Sequence, residues 1–124
     1  MPKRVLDVGN CGPDFAAIAR LLSRRFGCEV VQANGATDAL AALRGGGVDL
    51  VLINRKLDMD YSDGIDVIRQ IKADPAVAGT PVMLITNHPE HQDAAVAIGA
   101  VRGFGKLEFE KPETIERLEA VLGS

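Results

Sequence analysis

The sequence predicts an α/β fold in which a five-stranded, doubly wound parallel sheet is covered by helices on both faces. Three observations lead to this prediction. Short apolar runs alternate with longer segments of helical periodicity, and five such pairs follow one another. The runs at Leu50–Asn54 and residues 81–86 are apolar at successive positions, as expected for strands buried on both faces. The 124 residues have the size of a single domain, residues 1–124.

The first two strand–helix units are predicted in the N-terminal third of the chain. A strand at Arg4–Val8 is followed by a helix over residues 14–26. Pro13 suits the first turn of this helix, because a backbone N–H there has no helical partner. The apolar residues of one helix face are Phe15, Ile18, Ala19, Leu22 and Phe26. A second strand at Glu29–Ala33 precedes a helix over residues 37–44.

The third and fourth units contain the most apolar strands. Leu50–Asn54 is the third strand, and Asp63 in the following loop can cap a helix over Gly64–Ala73. The residues of this helix expected to face the sheet are Ile65, Ile68 and Ile71. A fourth strand over residues 81–86 precedes a short, alanine-rich helix over residues 89–98.

The last unit completes the predicted topology. A weak fifth strand over residues 103–106 leads to a helix over Pro112–Leu122. Right-handed crossovers leave few arrangements of five parallel strands, and the order 2-1-3-4-5 of flavodoxin-like (βα)5 folds is the expected one. This order opens a crevice at the carboxyl ends of the first and third strands, where we expect the functional residues.

Composition limits the classes of partner. The chain is 47% hydrophobic and 25% charged, with a net charge of −3, as is common for a soluble globular domain. Without a block of Lys and Arg, we expect no nucleic-acid partner. No apolar stretch approaches the roughly 20 residues of a membrane-spanning helix, so we expect no membrane partner. With only Cys11 and Cys28 and no apparent signal peptide, a cytoplasmic location is expected.

Three stretches resemble the receiver domains of bacterial two-component response regulators. They are Val-Leu-Ile-Asn at residues 51–54, Pro-Val-Met-Leu-Ile-Thr at residues 81–86, and residues 99–106, which match the family's Gly-Ala…Lys spacing. The resemblance covers essentially the whole chain. It implies a signalling domain that is not an enzyme.

The resemblance places neutral residues at three positions that are acidic in the family. It implies that Asn54 stands at the position of the phospho-accepting aspartate, and that Gly9 and Asn10 stand where two acidic residues hold magnesium. Phosphoryl transfer to a carboxylate needs a nucleophilic oxygen and a divalent cation, and magnesium prefers carboxylate and water ligands. We therefore predict no catalytic residue, no cofactor and no metal site.

The resemblance also implies three switch residues. They are Thr86, which in the family reorients toward the phosphoryl group, Lys106, which pairs with the acceptor from the fifth strand, and Phe104. Gly103 occupies the family's aromatic position, so burial of the neighbouring Phe104 in the core is the alternative. Leu107 stands where the family has a cis-proline, and the loop after Asn54 is longer than in the family.

Two charged side chains near the crevice need partners. With neutral groups around it, Lys106 is expected to bond the Asn54 carbonyl or to extend into solvent. Asp7 is expected to point to the same side as Gly9, one layer deeper, because strand side chains alternate. A buried carboxylate needs a partner. Either Lys106 or a backbone N–H could supply it.

Two loop clusters carry residues of metal-ligand type. Their members are Asp58, Asp60 and Asp63 in one loop, and His88, Glu90 and His91 in the other. We interpret the aspartates as a solvated acidic loop in which Asp63 caps a helix, with a relocated metal site as the alternative. The second cluster is predicted to be turn and surface residues, because no third metal ligand accompanies the two histidines.

The remaining polar features have simple interpretations. Cys11 precedes a helix N-terminus, which favours thiol reactivity, so a redox sensor is the alternative to a bystander. Cys28 is predicted to pack inside. Arg20, Arg24 and Arg25 cluster near one helix end and are predicted to form a solvated helix face.

A second resemblance defines an alternative class of function. Residues 5–13 look like the glycine-rich first motif of S-adenosylmethionine-dependent methyltransferases, and residues 49–54 resemble a later motif. However, that fold needs two strands between these motifs, and one is predicted here. The second strand also ends in Gln32, Ala33 and Asn34, without the acidic residue that would hold the ribose. Glycine-rich motifs alone are weak signals.

The sequence therefore predicts a pseudo-receiver, a receiver-like domain that acts by protein–protein interaction without aspartyl phosphorylation. The resemblance implies a histidine kinase or a downstream output protein of a phosphorelay as the partner. It also implies binding through the fourth helix, fifth strand and fifth helix, and leaves the oligomeric state undetermined. Within the family, the alternative is a phospho-acceptor at a non-standard residue such as Asp58 or Thr86.

Overall fold

A computed structural model describes residues 2–123, in which five strands and five helices alternate along the chain. The strands are β1 Arg4–Val8, β2 Glu29–Ala33, β3 Leu50–Asn54, β4 Val82–Ile85 and β5 Val101–Phe104. The helices are α1 Gly12–Phe26, α2 Ala36–Arg44, α3 Gly64–Ala73, α4 Pro89–Ala97 and α5 Pro112–Leu122. None of the helices in this range is long and apolar enough to cross a bilayer.

The strands form one parallel sheet in the order β2-β1-β3-β4-β5, which confirms the predicted fold class. β1 lies between β2 and β3, and Val8 pairs with Ile53 near the carboxyl ends of β1 and β3. On the other side of β3, Asn54 pairs with Ile85. The residues that follow β1, β3 and β4 therefore meet at one edge of the sheet.

Alternating side chains of the strands divide the core into two layers. One layer contains Leu6, Val8, Val51, Ile53 and Leu84 and packs against α2, α3 and α4. The other layer packs against α1 and α5, and its strand residues are Val5, Leu50, Leu52, Met83, Ile85 and Phe104. This alternation explains why the central strands are apolar at successive positions.

The fifth strand begins and ends two residues earlier than predicted. Phe104 is 1% exposed and pairs with Ile85, so the apolar end of the strand lies at Phe104. The chain then turns, since the Gly105 N–H donates to Glu108 Oε1 and the Glu108 N–H donates to the Gly105 carbonyl. Lys106 therefore lies in a turn, and its prediction as a strand residue was wrong.

The helix ends follow the predicted local chemistry with small shifts. α1 begins two residues earlier than predicted, with Pro13 in its first turn. It ends at Phe26 and is capped by Gly27, which has a left-handed φ of 64°. Asp63 caps α3 as predicted, because its Oδ1 accepts the Ile65 N–H at 3.0 Å.

Gly103 allows β5 to approach β4 closely. A Cβ at this position would lie 2.3 Å from the Leu84 carbonyl oxygen, which belongs to the backbone of the neighbouring strand. We expect Gly103→Ala to lower the free energy of unfolding by about 2 kcal/mol, because the two strands must separate to admit the methyl group. Urea denaturation monitored by circular dichroism measures this change.

Gly79→Ala is the matched control, because no heavy atom lies within 4 Å of a Cβ at Gly79. We expect this change to alter the free energy of unfolding by less than about 1 kcal/mol. Equal effects of the two substitutions would contradict the close approach of β5 to β4.

Candidate functional site

A crevice with a volume of about 280 Å³ opens at the carboxyl edge of the sheet. Its lining residues are Asn54, Arg55, Lys56, Ile85, Thr86, Asn87, His88 and Lys106. Four of the residues singled out in the sequence, Asn54, Thr86, His88 and Lys106, thus line one cavity. Gly9, Asn10 and Phe104 are absent from its lining.

Asn54 is the last residue of β3 and holds the loop that follows it. Its Nδ2 donates to the Lys56 carbonyl oxygen at 2.6 Å and makes a longer contact of 3.5 Å with the Gly9 carbonyl oxygen. A carboxylate oxygen in place of Nδ2 would face these carbonyl oxygens without a hydrogen to share. The local hydrogen bonding therefore favours an amide over a carboxylate at this position.

Gly9 has no room for a side chain. Its φ is +78°, which side-chain-bearing residues rarely adopt, and a Cβ would lie 2.3 Å from Leu57 Cδ2 and 3.1 Å from Leu57 Cα. Leu57 is 2% exposed. The Gly9 carbonyl oxygen accepts the Asp58 N–H at 2.8 Å, so the backbones of the two segments are also joined.

The loop between β3 and α3 is folded back on itself so that Leu57 points inward. The Leu57 N–H donates to the Ser62 carbonyl oxygen at 2.9 Å, and Lys56 and Asp63 form an isolated antiparallel bridge. Leu57 joins the core layer beneath α2, α3 and α4. Sequence analysis missed this residue, although a leucine within a polar, aspartate-rich loop is a signal of burial.

Asp7 and Asn10 form a buried pair beneath the crevice. Asp7 is 0% exposed, and its Oδ1 accepts a hydrogen bond of 2.5 Å from Asn10 Nδ2. Asp7 Oδ2 and Asn10 Oδ1 are buried without a hydrogen-bond partner among residues 2–123. Within residues 2–123 neither alternative, Lys106 or a backbone N–H, donates a hydrogen bond to Asp7. Asn10 turns inward and donates instead, and Lys106 acts on the carboxylate only through its charge.

Burial changes the protonation of Asp7. Loss of solvent raises the pKa of its carboxyl group to about 6, while the hydrogen bond from Asn10 and the charge of Lys106 oppose this rise. The carboxyl group is therefore protonated more readily in the folded protein than in the unfolded chain.

Lys106 forms an ion pair with a residue that the sequence analysis did not single out. Its Nζ donates to Asp14 Oδ2 at 2.5 Å, and Cys11 Sγ donates to the same oxygen at 3.2 Å. The hydrogen bond from Lys106 lowers the pKa of Asp14. Both predicted positions of Lys106, on the Asn54 carbonyl and in solvent, were wrong because Asp14, in the first turn of α1, supplies a carboxylate within reach.

Thr86 is buried and bonded to the start of α4. Its Oγ1 accepts the His88 N–H at 3.2 Å and lies 3.4 Å from His91 Nδ1. Its own N–H donates to the Phe104 carbonyl oxygen at 3.1 Å. The Phe104 ring packs in the core against Phe109, with ring centroids 5.8 Å apart, as in the alternative stated for it.

The other candidate clusters are engaged in local contacts. Asp60 Oδ1 accepts both the N–H and the hydroxyl of Ser62, and His91 Nε2 lies 3.5 Å from Arg55 Nη2. Within residues 2–123, no group of three or more His, Cys, Asp or Glu side chains is arranged to hold a metal ion. Cys28 is buried, which raises the pKa of its thiol.

We expect Asp7→Asn to stabilise the protein at neutral pH. Asparagine keeps a carbonyl acceptor for Asn10 Nδ2 but never ionises. Because the pKa of Asp7 rises from 3.8 to about 6 on folding, its carboxylate lowers stability progressively as pH increases from 3.8 toward 6 and fully above that value. The substitution should therefore raise the free energy of unfolding by about 3 kcal/mol at neutral pH.

The same change should have little effect at about pH 3.5, where the carboxyl group is largely protonated in both states. Urea denaturation at both pH values measures the difference. Asp58→Asn, at an exposed position, is the control and should alter stability by less than about 0.5 kcal/mol. A gain for Asp7→Asn that does not depend on pH would contradict the assignment.

Comparison with known proteins shows which family has this fold. The family model of the response regulator receiver domain matches residues 13–122. NtrX from Brucella abortus is 28% identical with a TM-score of 0.79, and the match covers 98% of this chain. The chain spans 27% of the length of the NtrX chain.

Two further solved structures show the same fold, and in both the match covers the whole of the other chain. The chemotaxis protein CheY4 from Vibrio cholerae is 22% identical over 98% of this chain, with a TM-score of 0.79. The receiver domain of a sensor histidine kinase from Pseudomonas aeruginosa, whose structure has a magnesium ion in the active-site cleft, is 19% identical over 100% of this chain, with a TM-score of 0.80. Because the family model matches most of its length, this chain belongs to the response regulator receiver domain family of two-component signalling.

Proposed function

We propose that this receiver domain is a pseudo-receiver, which transmits a signal by protein–protein interaction and without aspartyl phosphorylation. The observation that carries the proposal is the packing of Leu57 against Gly9. Leu57 occupies the space that an acidic side chain at position 9 would need, and it is itself 2% exposed. An aspartate or glutamate at position 9 would therefore require Leu57 to move and the core around it to rearrange.

The residues at the three family positions do not fit a magnesium ion. Magnesium binds oxygen ligands in near-octahedral geometry and is usually held by carboxylates. Here Gly9 has no side chain, Asn10 is turned toward Asp7, and Asn54 directs its Nδ2 at the Lys56 carbonyl oxygen. The relative from Pseudomonas aeruginosa does hold this ion in its cleft. We assign no step to a metal in this chain.

The residues of the switch positions are held in one arrangement by contacts that need no phosphate. Lys106 is paired with Asp14, and the Thr86 hydroxyl accepts the His88 N–H. In the family, phosphorylation moves the corresponding groups. The ion pair of Lys106 and the hydrogen bond accepted by Thr86 support a domain with a constant conformation.

The surface that we propose for the partner is formed by α4, β5 and α5. Val96 and Val101 are 43% and 39% exposed on this surface. Arg102 pairs with Asp93 at 2.7 Å, and Arg117 Nη1 donates to the Gly103 carbonyl oxygen. Exposed apolar side chains beside ordered charged groups suit a protein partner. We propose a histidine kinase or a downstream output protein as this partner.

Acetyl phosphate or beryllium fluoride, each with magnesium, should leave this protein unchanged. Neither reagent finds a carboxylate nucleophile or a cation site at residues 9, 10 and 54. Intact-protein mass spectrometry tests covalent modification, and the amide spectrum in NMR tests binding of the fluoride. A mass gain of one phosphoryl group, or a magnesium-dependent change around the crevice, would refute the proposal.

Introducing one carboxylate at a time separates the missing nucleophile from the missing cation site. Asn54→Asp should remain unmodified by acetyl phosphate, because it supplies a nucleophile without a cation site. Gly9→Asp should unfold at lower urea than the native chain, because the new side chain meets Leu57. Glu119→Asp, at an exposed helix position, is the control for handling and mass analysis. Robust phosphorylation of Asn54→Asp would show that the cation site survives.

Two alternatives remain testable with the same protein. Phosphopeptide mapping after kinase treatment would detect an acceptor at Asp58, which is exposed, or at Thr86, whose hydroxyl is buried. A thermal-shift assay with S-adenosylmethionine tests the small-molecule class, because a ligand that binds the folded state raises the melting temperature. We expect no phosphopeptide and no thermal shift.

A further inference from the structure

The three arginines near the end of α1 line a second cavity. It has a volume of about 350 Å³ and lies between α1 and the segment that precedes α5. Its lining residues are Ala17, Arg20, Leu21, Arg24 and Arg25 on α1, and Phe109 and Glu110 on the facing segment. The spacing of the α1 residues places them on one face of the helix. The face predicted to be merely solvated thus forms one wall of a concave surface.

The positive charge in this cavity is only weakly compensated. Within residues 2–123, Arg20 and Arg24 make no hydrogen bond or ion pair with another side chain of the chain. Arg25 has one ion pair, to Glu110 at 3.7 Å, and that carboxylate is 83% exposed. Arg24 and Arg25 lie in the last turn of α1, where the helix dipole stabilises positive charge. Arg20 lies one turn earlier, so this effect does not account for its position.

The floor of the cavity is apolar. Leu21 is 8% exposed, and the half-buried Phe109 packs edge-on against Phe104. Guanidinium groups therefore surround a fixed apolar surface. This combination suits a ligand that has carboxylates on either side of an apolar side chain. The carboxylates would pair with the guanidinium groups, and the apolar side chain would pack on Leu21 and Phe109.

We propose that this cavity binds an acidic segment of a partner protein. Carboxylates of the segment pair with Arg20 and Arg24, and an apolar side chain between them rests on Leu21 and Phe109. Arg20 and Arg24 are four residues apart, about 6 Å along the helix axis. Side chains one helical turn apart on an acidic helix have a similar spacing.

Glu110 shows how a carboxylate approaches this wall. It reaches Arg25 from across the cavity, but at 3.7 Å it makes an ion pair without a hydrogen bond. Because this contact is weak, Glu110 can turn away at little cost when a partner's carboxylates pair with Arg20 and Arg24. The proposal concerns a surface separate from the α4–β5–α5 face, and it does not depend on the absence of phosphorylation.

The test is an NMR titration of the isotope-labelled full chain with synthetic peptides. One peptide repeats Glu-Glu-Leu, and its control repeats Gln-Gln-Leu at the same length. We expect the acidic peptide to shift the amide signals of residues 17–25 and 109–110, with an affinity that falls as salt is added. The glutamine peptide should leave these signals in place.

Paired substitutions distinguish binding at this cavity from a general effect of the protein's net charge. Arg20→Gln/Arg24→Gln should weaken binding of the acidic peptide by about tenfold or more. Arg44→Gln/Arg69→Gln removes the same charge from α2 and α3, where these arginines pair with Asp74 and Asp66. This control pair should change the affinity less than about twofold. Glu110→Gln should tighten binding, because it removes the competing carboxylate.

Four outcomes would overturn the proposal. They are equal weakening by both pairs of substitutions, signal shifts centred elsewhere, equal binding of the glutamine peptide, and no binding of the acidic peptide. Inorganic phosphate that shifts the same signals with equal affinity would identify a small-anion site instead. Phosphatidylserine vesicles that bind in an Arg20- and Arg24-dependent manner, without competition from the peptide, would identify a lipid surface instead.

Discussion

The carboxyl edge of the sheet in this receiver domain is built around the contact between Gly9 and Leu57. Gly9 adopts a left-handed backbone conformation at the end of β1, and the Leu57 side chain fills the space above it. The loop after β3 folds back on itself to bring Leu57 there, and Asn54 holds the loop through the Lys56 carbonyl oxygen. A hydrophobic contact thus occupies the space that a side chain at position 9 would need. An ion cannot bind in a space filled by apolar side chains, because it would lose its water without gaining polar partners.

The charged and polar groups around the crevice are paired within the chain. Lys106 forms its ion pair with Asp14 of α1, and Cys11 donates to the same carboxylate. Asn10 turns away from the crevice and donates to the buried Asp7. Lys106 and Asn10 thus each have a carboxylate partner within the chain. They also connect α1 to the turn after β5 without a ligand.

Much of the architecture was predictable because it depends on local patterns. Five alternating units and the two-faced apolar character of β3 and β4 predicted the sheet and its order. The register of β5 was not predictable, because it depends on the close approach of Gly103 to the Leu84 carbonyl and on burial of Phe104. Edge-strand limits are decided by the neighbouring strand, and a single sequence carries little information about that neighbour.

By itself, the sequence determined the chemical character of the site. Residue types at positions 9, 10 and 54 establish that none of them carries a carboxylate. Only the tertiary structure decided which groups meet, including Leu57 on Gly9, Lys106 on Asp14, and the α1 arginines across from Phe109. The physical reason is distance along the chain. Lys106 and Asp14 are separated by 92 residues, and only the packed sheet brings them within hydrogen-bonding reach.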